Sequence, residues 1–295
     1  MNERSGSNLK AKLILLAGVF SCSMSSAFFR YMTAPSTIAA TYRLGWTVLL
    51  LTPLIFSKRE TRKELLSLKG KDLAFCGLSG LFLAMHFVVW FESLSNTSIA
   101  SSTVLVNTEV AFAAFGYLIF FGKKIRKKEI LAIGIAFLGS VVIAMADTGG
   151  GAGKNAVLGD ILALLAAFFS ACYTLIGTRE RSHMSTMVYT YVLYWGCFLS
   201  LLVFDAVSGV PMTGYEPINW IMSLCLAVFC TLLGHSVFSW SLKFLTPTYV
   251  STVKLAGPVF ASVSAILLFG EIPGLIQVAG AAVVLAGVYL YAKNS

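Results

Sequence analysis

Ser102-Thr103-Val104 returns 149 residues later as Ser251-Thr252-Val253, and this echo decides the fold. Working outward at the same offset, His86-Phe87-Val88 meets His235-Ser236-Val237 and Trp46 meets Trp195. Tyr42 meets Tyr191, Arg30 meets Arg179 and Ser21 meets Ser170. After one deletion the offset becomes 148, and Phe121-Gly122 meets Phe269-Gly270. Scattered matches between apolar stretches arise by chance. One register held from residue 16 to 104, preserving Trp, His, Tyr and Arg, does not. In an apolar chain such a repeat is the mark of a membrane transporter built from two related halves.

The chain is 57% hydrophobic and 12% charged, where a soluble domain carries about 25% charge. Too few charges exist to coat a soluble core of 295 residues. Several apolar runs approach the roughly 20 residues that cross a bilayer as a helix. Backbone in lipid must satisfy its own hydrogen bonds, so these runs are predicted to be helices, and the alternation of barrel strands is not seen. Ten spans are predicted: 12–30, 34–57, 72–94, 98–121, 128–147, 157–178, 184–206, 218–243, 247–269 and 273–292. Five spans per half is odd, so the second copy is expected upside down. The expected fold is therefore an all-α integral membrane protein. Ten transmembrane helices form two inverted five-helix repeats, 1–148 and 157–295, joined by a flexible outer linker over 149–156.

The basic residues test this count. With the N-terminus in the cytoplasm, eighteen of the 22 Lys and Arg fall on cytoplasmic segments, and only Arg30 and Lys154 on outer loops. Arg43 and Lys254 lie within spans. That bias places both termini in the cytoplasm, in a multi-pass protein of the bacterial inner membrane type. The net charge of +9 thus reports topology, and the 58–71 and 123–128 clusters read as loops beside anionic headgroups, not as a nucleic-acid surface.

Other signals are quiet. The six cysteines sit in apolar spans, with no Cys-x-x-Cys motif or ligand-like His cluster beside them. They read as small buried hydrophobes, and neither a metal nor a cofactor is expected. Gly149 to Lys154 fails as a phosphate loop, because Thr148 and Asn155 replace the required glycine and hydroxyl residue. The basic N-terminus and its apolar run read as a first span, since their counterpart at 157–178 is internal.

Further residues carry a family resemblance. Leu255-Ala256-Gly257-Pro258-Val259-Phe260-Ala261 is followed by Leu267-Leu268-Phe269-Gly270-Glu271, then by the glycine-rich run Gln277 to Val288. In these motifs the chain resembles the ten-span, EamA-like branch of the drug/metabolite transporter superfamily. The first half departs from the pattern, with Glu109 at the place of Pro258 and Gly122-Lys123 at that of Gly270-Glu271. The resemblance implies a central cavity lined mainly by spans 3, 4, 8 and 9, with help from 1, 2, 6 and 7. Spans 5 and 10 are implied at the edge, as supports or a homodimer contact. It also implies secondary transport of small metabolites without direct use of ATP.

Ionisable groups inside a bilayer are costly, about 2.5–3.5 kcal/mol each at its centre, and mark functional candidates. Here these are Arg43, Glu109, Lys254, His86 and His235. Ser251, Lys254, Pro258 and Ser262 form a helical stripe matched by Ser102, Leu105, Glu109 and Ala113, so Glu109 and Lys254 are predicted to meet across the pseudo-twofold axis. Pro258 removes a donor in mid-helix and is expected to break it. Glu109 reads either as a proton-coupling site or as a permanent partner of Arg43 or Lys254. Arg43 and Lys254 read as binders of a carboxylate or phosphate, one of them neutralising Glu109. His86 and His235 read as interhelical hydrogen bonders or as direct substrate or proton groups. Tyr42, Trp90, Tyr191 and Trp240, with Trp46 and Trp195, read as a stacking cavity wall or as belt and packing residues. Gly134, Gly139, Gly280 and Gly287 are expected at close helix contacts.

Two cations against one anion favour an anionic or zwitterionic substrate, such as an amino acid, moved by alternating access. Export of neutral or cationic drug-like compounds is the alternative within transport. A membrane enzyme acting on a lipid-soluble substrate is the alternative outside it. Its dense catalytic cluster is missing from the sequence, so no enzymatic activity is expected.

Overall fold

The computed structural model describes residues 2–29, 31–97, 99–122, 125–146, 155–269 and 274–294. Arg30, the linker stretch Gly149 to Lys154 and Gly270-Glu271 lie outside them. Among the described residues there is no strand. The first half holds α1 (Asn2–Ser23), α2 (Ser25–Phe29), α3 (Ser36–Ser57), α4 (Arg59–Leu66), α5 (Gly70–Asn96), α6 (Ile99–Val106), α7 (Glu109–Phe121) and α8 (Lys127–Ala146). The second holds α9 (Ala156–Glu180), α10 (Thr186–Val207), α11 (Pro217–Cys225), a π-helical stretch Leu226–His235, α12 (Ser236–Ser241), α13 (Pro247–Lys254), α14 (Gly257–Phe269) and α15 (Leu275–Asn294).

Among the described residues, eight helical segments are long and apolar enough to cross a membrane. The expected count of ten is not reproduced by that measure. The run 128–147 coincides with α8, and the run 247–269 is divided between α13 and α14. Local chemistry sets the ends. Asn155, Ser185 and Thr246 cap α9, α10 and α13 by accepting from Leu158, Val188 and Tyr249 N–H. Gly122, at φ 64, takes the left-handed turn that closes α7.

Two expected spans are broken near their middles at matching places. The fourth stops at Val106 and restarts at Glu109, and the ninth stops at Lys254 and restarts at Gly257. The ninth breaks because Pro258 offers no N–H to the carbonyl of Lys254. Pro258 sits in the first turn of α14, where no such donor is needed, so the interruption lies just before the proline and not at it. No proline breaks the fourth. There the Thr108 hydroxyl donates to Leu105 O at 2.6 Å and competes with the backbone.

The halves interlock. α5 packs along α9 and α10, α1 runs beside the π-helical stretch, and α8 pairs with α15. A Cβ on Gly80 would lie 2.4 Å from Leu193 O, so α5 approaches α10 at backbone distance. Gly139, Gly280 and Gly287 do the same between α8 and α15, where a Cβ on Gly287 would lie 2.3 Å from Ala136 N. Gly134 departs from expectation, because its Cβ would meet nothing within 4 Å. The small-residue faces of α8 and α15 are thus used on each other, at the periphery.

Candidate functional site

Helices α1, α2, α3, α5, α9 and α12, the π-helical stretch and both broken spans line a cavity of about 160 Å³. Arg43, His86, Trp90, Glu109, His235 and Lys254 all line it, with Cys22, Ser25, Phe87, Asn107, Ser170, Phe238 and Ser251 among their neighbours. α8 and α15 contribute nothing to its wall.

The two helix breaks place an acid and a base face to face. Glu109 is the first residue of α7 and Lys254 the last of α13. An acid at a helix N-terminus and a base at a C-terminus each complement the helix dipole. Lys254 Nζ donates to Glu109 Oε1 at 2.7 Å and Oε2 at 2.6 Å. Ser170 and Ser251 donate to the same carboxylate at 2.7 and 2.9 Å. Three donor groups thus make four hydrogen bonds to the Glu109 carboxylate.

Arg43 is paired differently. Its Nε donates to Thr231 Oγ1 at 2.6 Å, and its guanidinium stacks 5.1 Å above the Phe87 ring. Thr231 belongs to the π-helical stretch and in turn donates to Leu226 O, five residues back. The wider turn thus presents a hydroxyl acceptor to Arg43. Among the described residues Arg43 Nη2 has no hydrogen-bond partner, although the residue is only 7% exposed. Trp90 Nε1 and Asn107 Nδ2 are buried and unpartnered in the same way. Among the described residues, every fully buried, unpartnered side-chain polar atom on this cavity wall is an N–H donor.

The histidines are held by their neighbours. His86 Nδ1 lies 2.9 Å from Ala166 O, a group that only accepts, so Nδ1 carries the proton. The ring stacks on Trp90 at 6.2 Å and bridges α5 to α9. His235 Nδ1 lies 3.4 Å from the Tyr173 hydroxyl, with Phe87 and Phe238 against its ring.

Three sequence candidates fall elsewhere. Tyr42 stacks on Trp220 at 4.0 Å and donates to Met212 O at 2.5 Å, in a separate apolar recess between the first turns of α3 and the last turns of α10. Tyr191 is buried beside Trp195 and bonded to Thr52. Trp240 packs on Phe244 beyond α12. None of the three lines the cavity: Tyr42 follows a helical face about 100° from that of its neighbour Arg43, and α10, which carries Tyr191, contributes no residue to the wall. Conversely, Asn107, Ser170 and Thr231 were not singled out. Asn107 was legible as a lone amide in an apolar run, and Ser170 as the repeat partner of Ser21. Asp205, fully buried and accepting from Thr41 at 2.5 Å, was also missed, because it sits at the end of its span.

Apolar helices long enough to cross a bilayer, broken in the middle around a polar cavity, define a small-molecule membrane transporter. The EamA-like transporter family matches residues 9–145 and again 157–292, and the chain belongs to that family. An uncharacterized transporter of Archaeoglobus fulgidus is 26% identical over 82% of this chain and 84% of its own length. A probable amino-acid metabolite efflux pump of Salmonella typhimurium is 27% identical over 58% of this chain and 59% of its own. A chain of known crystal structure shares the fold at TM-score 0.77, with 97% of both chains covered and 16% identity.

Proposed function

We propose that this transporter is a secondary exporter or exchanger of a compact metabolite bearing a carboxylate, an anion or a zwitterion such as an amino acid. One observation carries the reading: Arg43 Nη2, Trp90 Nε1 and Asn107 Nδ2 face one cavity as buried donors without acceptors. A buried donor left unpaired costs about 1–3 kcal/mol, more when charged, so the site is built for an acceptor-rich group. Glu109 offers no such acceptor, since Lys254 and two serines occupy it. Lys254 and Glu109 cancel, and Arg43 supplies the uncancelled charge. The cavity is smaller than the roughly 300 Å³ at which drug-sized sites begin, which favours a compact solute over a drug-like one. The Salmonella relative, a probable amino-acid metabolite efflux pump, agrees in substrate class.

In this reading the protein works by alternating access across a bacterial inner membrane. Both termini are cytoplasmic, and segments 1–148 and 157–295 rock as inverted repeats about the broken helices. The basic residues support that orientation, because eighteen of 22 fall on one side of the predicted topology. The transported solute leaves chemically unchanged. Thermal-shift measurements on purified protein against a panel of amino acids, dicarboxylates, amines and neutral drugs test the substrate class. Carboxylates are expected to stabilise the protein and their amides not to. Equal stabilisation by amines and by carboxylates would refute the assignment.

A further inference from the structure

Far from the cavity, at the end of the molecule that carries the basic loop 58–71, Asp72 of α5 and Glu180 of α9 approach His183 of the following turn. One ligand atom from each lies within 4.8 Å of the others. His183 Nε2 is 3.5 Å from Asp72 Oδ1 and 3.5 Å from Glu180 Oε2. Those separations are too long for good hydrogen bonds. They match the edge of a tetrahedron, since an ion with bonds of about 2.1 Å sets its ligand atoms about 3.4 Å apart.

A second observation points to a ligand. The Glu180 side chain is fully buried, and among the described residues neither of its oxygens has a hydrogen-bond partner. Its only ionic contacts among the described residues are His183 and the Arg179 Nε, 3.6 Å from Oε1. Arg179 is turned onto the Phe75 ring at 3.7 Å, which leaves Oε2 facing His183 and Asp72. A carboxylate stripped of water and of hydrogen bonds is costly unless something charged meets it.

The imidazole is set for coordination. Ser182 Oγ donates to Arg179 O at 2.6 Å, so it has a lone pair left for His183 Nδ1 at 3.4 Å. With the proton on Nδ1, Nε2 presents its lone pair to the two carboxylates. His183 is half exposed and Asp72 about a quarter, so an ion and one completing water reach the site from solvent. None of the three residues is echoed in the other repeat, where the same offset gives Ile221, Tyr31 and Ala34. The cluster therefore belongs to this end alone.

We propose that Asp72, Glu180 and His183 bind one divalent transition-metal ion of the zinc type, which ties the end of α5 to the end of α9. One imidazole with two carboxylates suits such an ion better than magnesium or calcium, which prefer all-oxygen shells. Because α5 carries His86 and Trp90 and α9 carries Ser170, the tie restrains two walls of the cavity at one end. The inference is independent of what the cavity transports.

The test uses full-length, chelator-treated protein with any affinity tag removed. Zinc is titrated calorimetrically, and cobalt by its visible absorption. Wild type is expected to bind one ion per chain, to show the intensified cobalt bands of a four-coordinate site and to unfold at higher temperature with zinc. His183→Ala, at a half-exposed position that leaves folding intact, is expected to bind zinc at least tenfold more weakly and to lose the cobalt bands. Glu180→Gln, checked for monodispersity, gives the same loss from the buried side. Zinc binding equal in wild type and His183→Ala, or no cobalt bands in wild type, would overturn the proposal and leave the cluster an ion-pair network only.

Discussion

Lys254 Nζ donates to both oxygens of Glu109, at 2.7 and 2.6 Å, and so bonds the end of one half-helix to the start of another across the two family-matched segments. Each residue sits where its helix dipole favours its charge. The pair thus joins the two broken spans at the cavity wall, and moving either span requires the contact to stretch or be replaced.

Removing one partner leaves a buried charge. Glu109→Gln is expected to destabilise the protein by about 3–5 kcal/mol, and Glu109→Gln combined with Lys254→Met by much less. Thermal unfolding of the two single variants and the double variant measures this coupling. Additive losses in the double variant would show that the pair does not hold the halves.

The same substitution addresses coupling. If Glu109 exchanges Lys254 for a proton during transport, Glu109→Gln abolishes the dependence of liposome uptake on a pH gradient. A pH dependence equal to that of wild type excludes Glu109 as the proton site.

Arg43 stabilises the fold through one hydrogen bond to Thr231 and the face of Phe87, with no ion pair of its own among the described residues. Arg43→Gln is therefore expected to weaken carboxylate binding at least tenfold, since bonds to charged groups contribute about 1.5–3 kcal/mol. Arg43→Lys keeps the charge and recovers only part, because the forked donor geometry is lost. Binding calorimetry with a stabilising solute separates these outcomes. Unchanged affinity in Arg43→Gln removes it from the site.

Tyr42 lies outside the cavity, stacked on Trp220. Tyr42→Phe is expected to leave substrate affinity unchanged and to cost about 1 kcal/mol of stability through the lost bond to Met212 O. A tenfold loss of affinity would place it in the transport path.

Two glycines separate contact from composition. Gly287→Val drives a side chain into the backbone at Ala136 and is expected to separate α15 from α8, read as a large drop in unfolding temperature. Gly134→Ala meets open space and is expected to be neutral, or stabilising by up to about 1 kcal/mol from helix propensity.

Much of the fold was legible because lipid removes alternatives. Backbone groups without water must pair within a helix, so apolar length alone located most helix ends to within a few residues. The repeat register paired Glu109 with the face that carries Lys254, and Pro258 announced one helix break. The other break, at Asn107-Thr108, has no proline and was silent. Tyr42, Tyr191 and Trp240 were misdirected toward the cavity because an aromatic in an apolar run packs equally well on any face.

The sequence by itself determined the helices, their apolar lengths, the internal repeat and the sparse set of charges that a bilayer tolerates only for a purpose. Tertiary structure alone decided which charges meet. It gave Glu109 to Lys254, left Arg43 Nη2 with two other donors unsatisfied, and brought Asp72 to Glu180 and His183 from more than 100 residues away. The physical reason is range: hydrogen bonding along a helix is local and written in consecutive residues, whereas an ion pair depends on a few ångströms between helices distant in the chain.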